Sequence, residues 1–129
     1  MIKSIFKSVI FSVVINMGVY LIGKITGILS PELPVTPDGQ PFSLPPLLMA
    51  CVLSVLAAFL VYWLLQRFIQ KAKFAFTVLS SVLLVASFVT PFSVPNISLS
   101  MAMMLNLMHV VVAASVLYFV CKNDYSYEK

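Results

Sequence analysis

Four apolar runs separated by three polar breaks dominate this 129-residue chain. The runs cover residues 5–29, 47–67, 73–91 and 99–121, and the breaks read SPELPVTPDGQPFSLPP, QRFIQKAK and PFSVPNIS. A hydrocarbon core about 30 Å thick needs about 20 helical residues to cross it, so each run predicts one transmembrane helix. In lipid a helix pairs its backbone groups within the segment, and the period-two alternation of a membrane barrel is absent. The eight prolines, at positions 31, 34, 37, 41, 45, 46, 91 and 95, all fall at the first or third break. Proline removes a helical hydrogen bond and clashes with the preceding turn. Pro45 and Pro46 therefore mark the start of the second helix and Pro91 the end of the third. The expected architecture is an all-α, four-helix transmembrane bundle forming one domain over 1–129, with a proline-rich outer loop at 30–46 and a polar tail at 122–129.

Composition agrees. Hydrophobic residues make up 61% of the chain and charged residues 9%, whereas a soluble domain carries about a quarter charged residues. Charge placement adds the orientation. Lys3, Lys7, Arg67, Lys71, Lys73, Lys122 and Lys129 fall on one side of the threading and Lys24 on the other, where Glu32 and Asp38 also lie. The positive-inside rule then places both termini in the cytoplasm. The formal net charge of +4 has this topogenic origin; with no contiguous basic run it does not point to nucleic acid. Lys3 and Lys7 before an apolar run resemble a secretory signal. No Ala-x-Ala-like site follows and the run outlasts an h-region of about 7–15 residues, so an uncleaved first span is expected. Tyr62, Trp63, Tyr118 and Phe119 are expected to form an aromatic belt at the inner boundary. Cys51 and Cys121, near opposite membrane surfaces, are too far apart to pair. Asn96-Ile97-Ser98 matches a glycosylation sequon, a motif short enough to recur by chance.

The polar residues within the spans are the candidates for function. His109, the single histidine, sits in the stretch NLMHVVVAA. At about 1.5 Å per residue it lies about 15 Å inward from Leu99, and Asn16 of the antiparallel first span reaches the same depth. Helical spacing aligns Ser12, Asn16, Tyr20, Gly23 and Gly27 on one helix and Ala102, Asn106, His109 and Ala113 on another. An unpaired polar group in hydrocarbon costs several kcal/mol, so both stripes are expected to face inward, with hydroxyls of Ser54, Ser81 and Ser87 joining them. Gly23-x3-Gly27 is a small-x3-small pattern expected to serve helix packing, within the chain or at a dimer seam. Lys24 is expected to snorkel to the headgroups, or to attract an anion to the outer mouth of the bundle.

Two readings follow. In one, Asn16, Tyr20, Asn106, His109 and Ser87 form an interior cluster that binds or conducts a small solute or proton. In the other, the polar stripe only locks helix packing in a structural or accessory subunit. Met101, Met104 and Met108, at i, i+3 and i+7 beside the histidine, could suit Cu(I), but methionine at helical spacing is commonly core. No metal or haem is therefore expected. No span carries an acid, and no nucleophile is paired with the histidine in a recognisable motif, so an enzyme is not expected. The expected partners are the lipid bilayer and a second copy or another membrane protein.

The chain resembles a family of small prokaryotic four-span membrane proteins of unassigned function. The resemblance rests on Asn16-x3-Tyr20, the proline-rich first outer loop, Ser87-x3-Pro91 and Met108-His109, and it covers nearly the whole chain. It implies a bacterial inner membrane and a four-helix fold, and no mechanism.

Overall fold

The computed structural model describes residues 2–29 and 43–122. Residues 30–42 and 123–129, which include most of the expected outer loop and tail and the expected placement of Glu32, Asp38 and Lys129, lie outside the described residues. Four α-helices follow in order: α1, Ile2–Ile25; α2, Leu44–Phe68; α3, Ala72–Ser87; and α4, Leu99–Lys122, with one 3₁₀ turn at Pro91–Ser93 between the last two. Each is long and apolar enough to cross a membrane, the third when counted through Ser93. The all-α, four-helix expectation holds.

The ends of the helices have local causes. The first span stops at Ile25 rather than at residue 29, because Gly27 takes a left-handed φ of 72°. Its N–H donates to Lys24 C=O at 3.2 Å, and Leu29 N–H donates to Gly23 C=O at 3.0 Å, closing off the last carbonyls. Pro45 and Pro46 occupy the first turn of α2, where a missing N–H costs nothing. The α-helical part of the third span ends at Ser87, four residues before Pro91. There Ser87 Oγ donates to Leu84 C=O and Thr90 Oγ1 to Ser87 C=O, so hydroxyls already hold the turn that the proline completes. Asn96 turns the chain at φ 59°, a region asparagine tolerates. Ser98 Oγ then accepts the N–H of Met101 at 3.2 Å and caps α4.

The helix α1 packs on α2 and α4, and α3 packs on the same two helices. Along α1 the buried positions are Ser4, Ser8, Ser12, Asn16, Tyr20 and Gly23, while Phe6, Phe11, Val14, Leu21 and Ile22 face outward. Small and polar residues inside with bulky apolar ones outside is the arrangement of a helix whose solvent is lipid, because close backbone approach drives association there. The interior divides into two clusters. One, toward the end where α1 stops and α2 starts, holds Tyr20, Leu29, Leu47, Cys51, Met101, Leu105 and Met108. The other, toward the termini, holds Val55, Phe59, Tyr62, Ala72, Phe76, Val116 and Val120. Val112 packs against both. Helix α3 is the least embedded element, with only Ala72 and Phe76 buried, both near its start.

The expected aromatic belt is partly corrected. Tyr62 is 1% exposed and packs edge-to-face on Phe76 at 5.3 Å, so it belongs to the core. Tyr118 is exposed, with Lys122 over its ring at 5.2 Å, and Arg67 lies over Trp63 at 5.8 Å. Phe119 is half-buried between Phe11 and Tyr118. Cys51 is buried, Cys121 is exposed, and both are free thiols.

Candidate functional site

The site begins with Asn16, which is fully buried in the middle of α1. Its Nδ2 donates to Cys51 Sγ of α2 at 3.2 Å and to Met108 C=O of α4 at 3.5 Å. One amide thus touches the two helices that flank α1. Its Oδ1 is buried and has no hydrogen-bond partner. A carbonyl accepts and cannot donate, so the contact with Met108 fixes which side of the amide carries the nitrogen. The shared depth expected of the first and fourth spans is observed directly in this contact.

Asn16 lies at the back of a groove of about 350 Å³ that runs beneath α3 and between α2 and α4. That volume is within the range of small-molecule sites, roughly 300–1,000 Å³. Cys51, Ser54, Ser80, Ser87 and His109 supply its other polar lining, and Leu47, Leu83, Leu84, Val112 and Val116 supply much of its apolar wall. Helix α3 sets Ser80, Leu84 and Ser87 along its inner side at spacings of four and three. Ser54, Leu83 and His109 are exposed at the rim, so the groove opens sideways, at mid-span.

His109 lies in this groove, but on the flank of α4 and not on its most buried line. That line carries Met101, Ala102, Leu105, Met108, Ser115, Val116 and Val120. The expectation that Ala102, Asn106, His109 and Ala113 share one inward stripe is corrected accordingly: the stripe is rotated by about one residue, or about 100°. Met108 takes the inner position because its side chain suits the apolar cluster while its carbonyl meets the asparagine. The imidazole Nδ1 lies 2.8 Å from Leu105 C=O one turn earlier. The carbonyl can only accept, so Nδ1 carries the proton, and the tautomer with one ring proton has Nε2 as an acceptor.

The structure separates the other candidates. Asn106 is not beside Asn16 or in the groove lining; its Nδ2 donates to Phe88 C=O at 3.3 Å, capping the end of α3 from α4, and its Oδ1 has no partner. Tyr20 is buried in the cluster of Leu29, Leu47 and Met101, with Lys24 Nζ 5.6 Å from its ring centroid, and it does not line the groove. Ser87 does line it, and its own proton is committed to Leu84 C=O at 2.7 Å. Ser81 points elsewhere, donating to Thr77 C=O on an exposed face.

The two glycines differ. Gly23 is buried, and an added Cβ would strike Met104 Sδ and come within 2.7 Å of Leu29. This is the close packing expected of it. However, its neighbours are in the same chain, which corrects its proposed place at a dimer seam. A Cβ added at Gly27 would touch no neighbour among the described residues, and the left-handed φ there serves the helix end. Met101 and Met108 are core residues, and Met104 covers Gly23, so the methionine stripe has a packing explanation.

Sequence reading missed Cys51 and Ser80. Cys51 lies in an apolar run where no neighbour marks it, and Ser80 stands beside Ser81 with nothing in the spacing to choose between them. Their roles follow from how α2 and α3 are rotated.

No curated protein and no solved structure matches the chain. Residues 3–124 match a family described as being of unknown function, DUF6069, and the chain belongs to that family.

Proposed function

We propose that this protein is a non-enzymatic binding protein of the bacterial inner membrane, with both termini in the cytoplasm, whose groove beside Asn16 and His109 takes up a small solute. The observation that carries this reading is the partnerless, fully buried Oδ1 of Asn16 at the back of a groove large enough for a ligand. Leaving a buried acceptor unpaired costs about 1–3 kcal/mol, which a ligand donor would recover. Binding is favoured over conduction by the packing of Val55, Phe59, Tyr62, Phe76, Val116 and Val120, which fills the interior between the groove and the termini. The orientation is supported by Lys3, Lys7, Arg67, Lys71, Lys73 and Lys122, all at the end of the bundle where α1 starts and α4 stops.

A second reading has its own observation. The serines at positions 4, 8 and 12 of α1 are buried in line with Asn16, as a pure packing device would place them. Under that reading the protein is a structural or accessory subunit acting through a membrane partner or a second copy. Extraction of the protein from native membranes, followed by mass spectrometry of what co-purifies, separates the two. Binding requires a compound retained by the wild type and lost from a His109→Leu variant that stays folded. Identical profiles from the two proteins, with a partner complex intact, would leave the packing reading in place.

A further inference from the structure

We infer that the groove holds a lipid-soluble molecule with a neutral hydroxyl headgroup, which enters sideways from the bilayer and donates an O–H to Asn16 Oδ1, a second O–H reaching His109 Nε2. This rests on the groove being a binding site and adds the polarity of its occupant.

Three residues of its lining have the sense of their polar atoms set by bonds already made. Asn16 Nδ2 is committed to Cys51 Sγ and Met108 C=O, leaving Oδ1 free. His109 Nδ1 is committed to Leu105 C=O, and the Nδ1-protonated tautomer carries a lone pair on Nε2. Ser87 has given its proton to Leu84 C=O and can offer only lone pairs. Each of the three is an acceptor. Ser54 and Ser80 keep rotatable hydroxyls that serve in either sense, so the three fixed groups set the demand, and they ask for a donor.

Charge narrows the donor. The lining contains no Asp or Glu, and an ammonium group taken out of water without a counter-charge is heavily penalised. An anion would meet the lone pairs of those three groups, and no Lys or Arg stands on the lining to pair with it. A neutral O–H remains, and it is donated without loss of the proton. The rest of the molecule is set by the wall and the entrance. Leu47, Leu83, Leu84, Val112 and Val116 are apolar, and the rim lies at mid-span, where the surroundings of the bundle are hydrocarbon. A solute arriving there has come through the bilayer.

The test uses the full chain in phosphatidylcholine nanodiscs and two probes of equal chain length, 1-O-dodecylglycerol and its 2,3-di-O-methyl ether. With a single histidine in the chain, ¹⁵N-histidine labelling reports one imidazole. The starting spectrum is expected to show Nδ1 protonated and Nε2 bare. The glycerol ether should shift the Nε2 resonance saturably, and the dimethyl ether, with both donors blocked, should bind about tenfold more weakly, equivalent to ~1.4 kcal/mol. Protection of Cys51 from N-ethylmaleimide in a Cys121→Ser background provides a second readout, one that still works in a His109→Phe variant; there the preference for the free diol should narrow. Equal binding of both ethers would overturn the hydroxyl assignment while leaving the groove a binding site. An Nε2-protonated ring in the starting spectrum would overturn it as well. Saturable binding of neither probe, by resonance or by protection, would remove the binding reading together with the inference.

Discussion

Gly23→Ala is the substitution whose outcome the structure fixes most closely. The added Cβ would strike Met104 Sδ and stand 2.7 Å from both Cγ and Cδ1 of Leu29. Met104 is a flexible side chain and can yield. Leu29 is less free, because it is 5% exposed and its N–H is tied to the carbonyl of Gly23 itself at 3.0 Å. Overpacking of this kind costs about 1–3 kcal/mol. Against it stands the gain in helix propensity from replacing glycine by alanine, up to ~1 kcal/mol. Gly18→Ala supplies the control, since it sits on the same helix with nothing within 4 Å of its added Cβ, and it receives the propensity gain alone. The difference between the two variants therefore cancels propensity and should equal the steric cost of about 1–3 kcal/mol. Reversible unfolding in mixed micelles with rising dodecyl sulfate fraction measures both. Combining Gly23→Ala with Met104→Ala should recover part of the loss, because one of the two obstructions is then gone. If Gly23→Ala and Gly18→Ala shift stability alike, within ~0.5 kcal/mol, the close approach of α4 and Leu29 to α1 is wrong.

Four further outcomes follow. Phe76→Ala should destabilise by about 3–5 kcal/mol, since it removes the one large buried side chain of α3, and amide exchange along α3 should rise more than along α1. Asn106→Leu leaves Phe88 C=O without its partner, so exchange should quicken over residues 88–93 with a loss on the order of 1 kcal/mol, measured by the same unfolding assay. His109→Leu should leave stability within ~0.5 kcal/mol, because the exposed ring bonds only within its own helix, while retention of a co-purifying compound is lost. Exposed Cys121 should react with a water-soluble maleimide at least about tenfold faster than buried Cys51, as thiolate reactivity follows access.

The spans were legible because a lipid solvent demands length and apolarity, and both are readable without knowing which way a helix faces. Asn16 was legible too: a buried amide stands out on any apolar helix, and its depth follows from the rise per residue. Facing direction was harder. Neighbouring residues differ by about 100°, and the sequence offers a line of Met101, Ala102, Leu105 and Met108 beside one of Ala102, Asn106, His109 and Ala113. Polarity favoured the second, yet the first is buried, because the asparagine is met by a main-chain carbonyl, a group every residue carries. The same blindness hid Asn106, whose partner is also a backbone carbonyl, at Phe88. Gly27 misled in the opposite sense. A glycine four residues beyond another reads as a packing pair, whereas a left-handed φ in a helix end is invisible in spacing. Tyr62 next to Trp63 looked interfacial until α3 brought Phe76 onto it.

The attachment of α3 has a mechanical consequence. It is fastened near its start by Ala72 and Phe76, and near its finish by the Asn106 amide on Phe88 C=O, with little buried in between. A beam pinned at both ends bows most at its centre, and here the centre carries Ser80 and Leu84 over the groove. Flexing of that beam works against the lateral pressure of the acyl chains instead of against packed side chains. A thicker or stiffer bilayer is therefore expected to change how wide the crevice stands, without any change in the packed ends of α3.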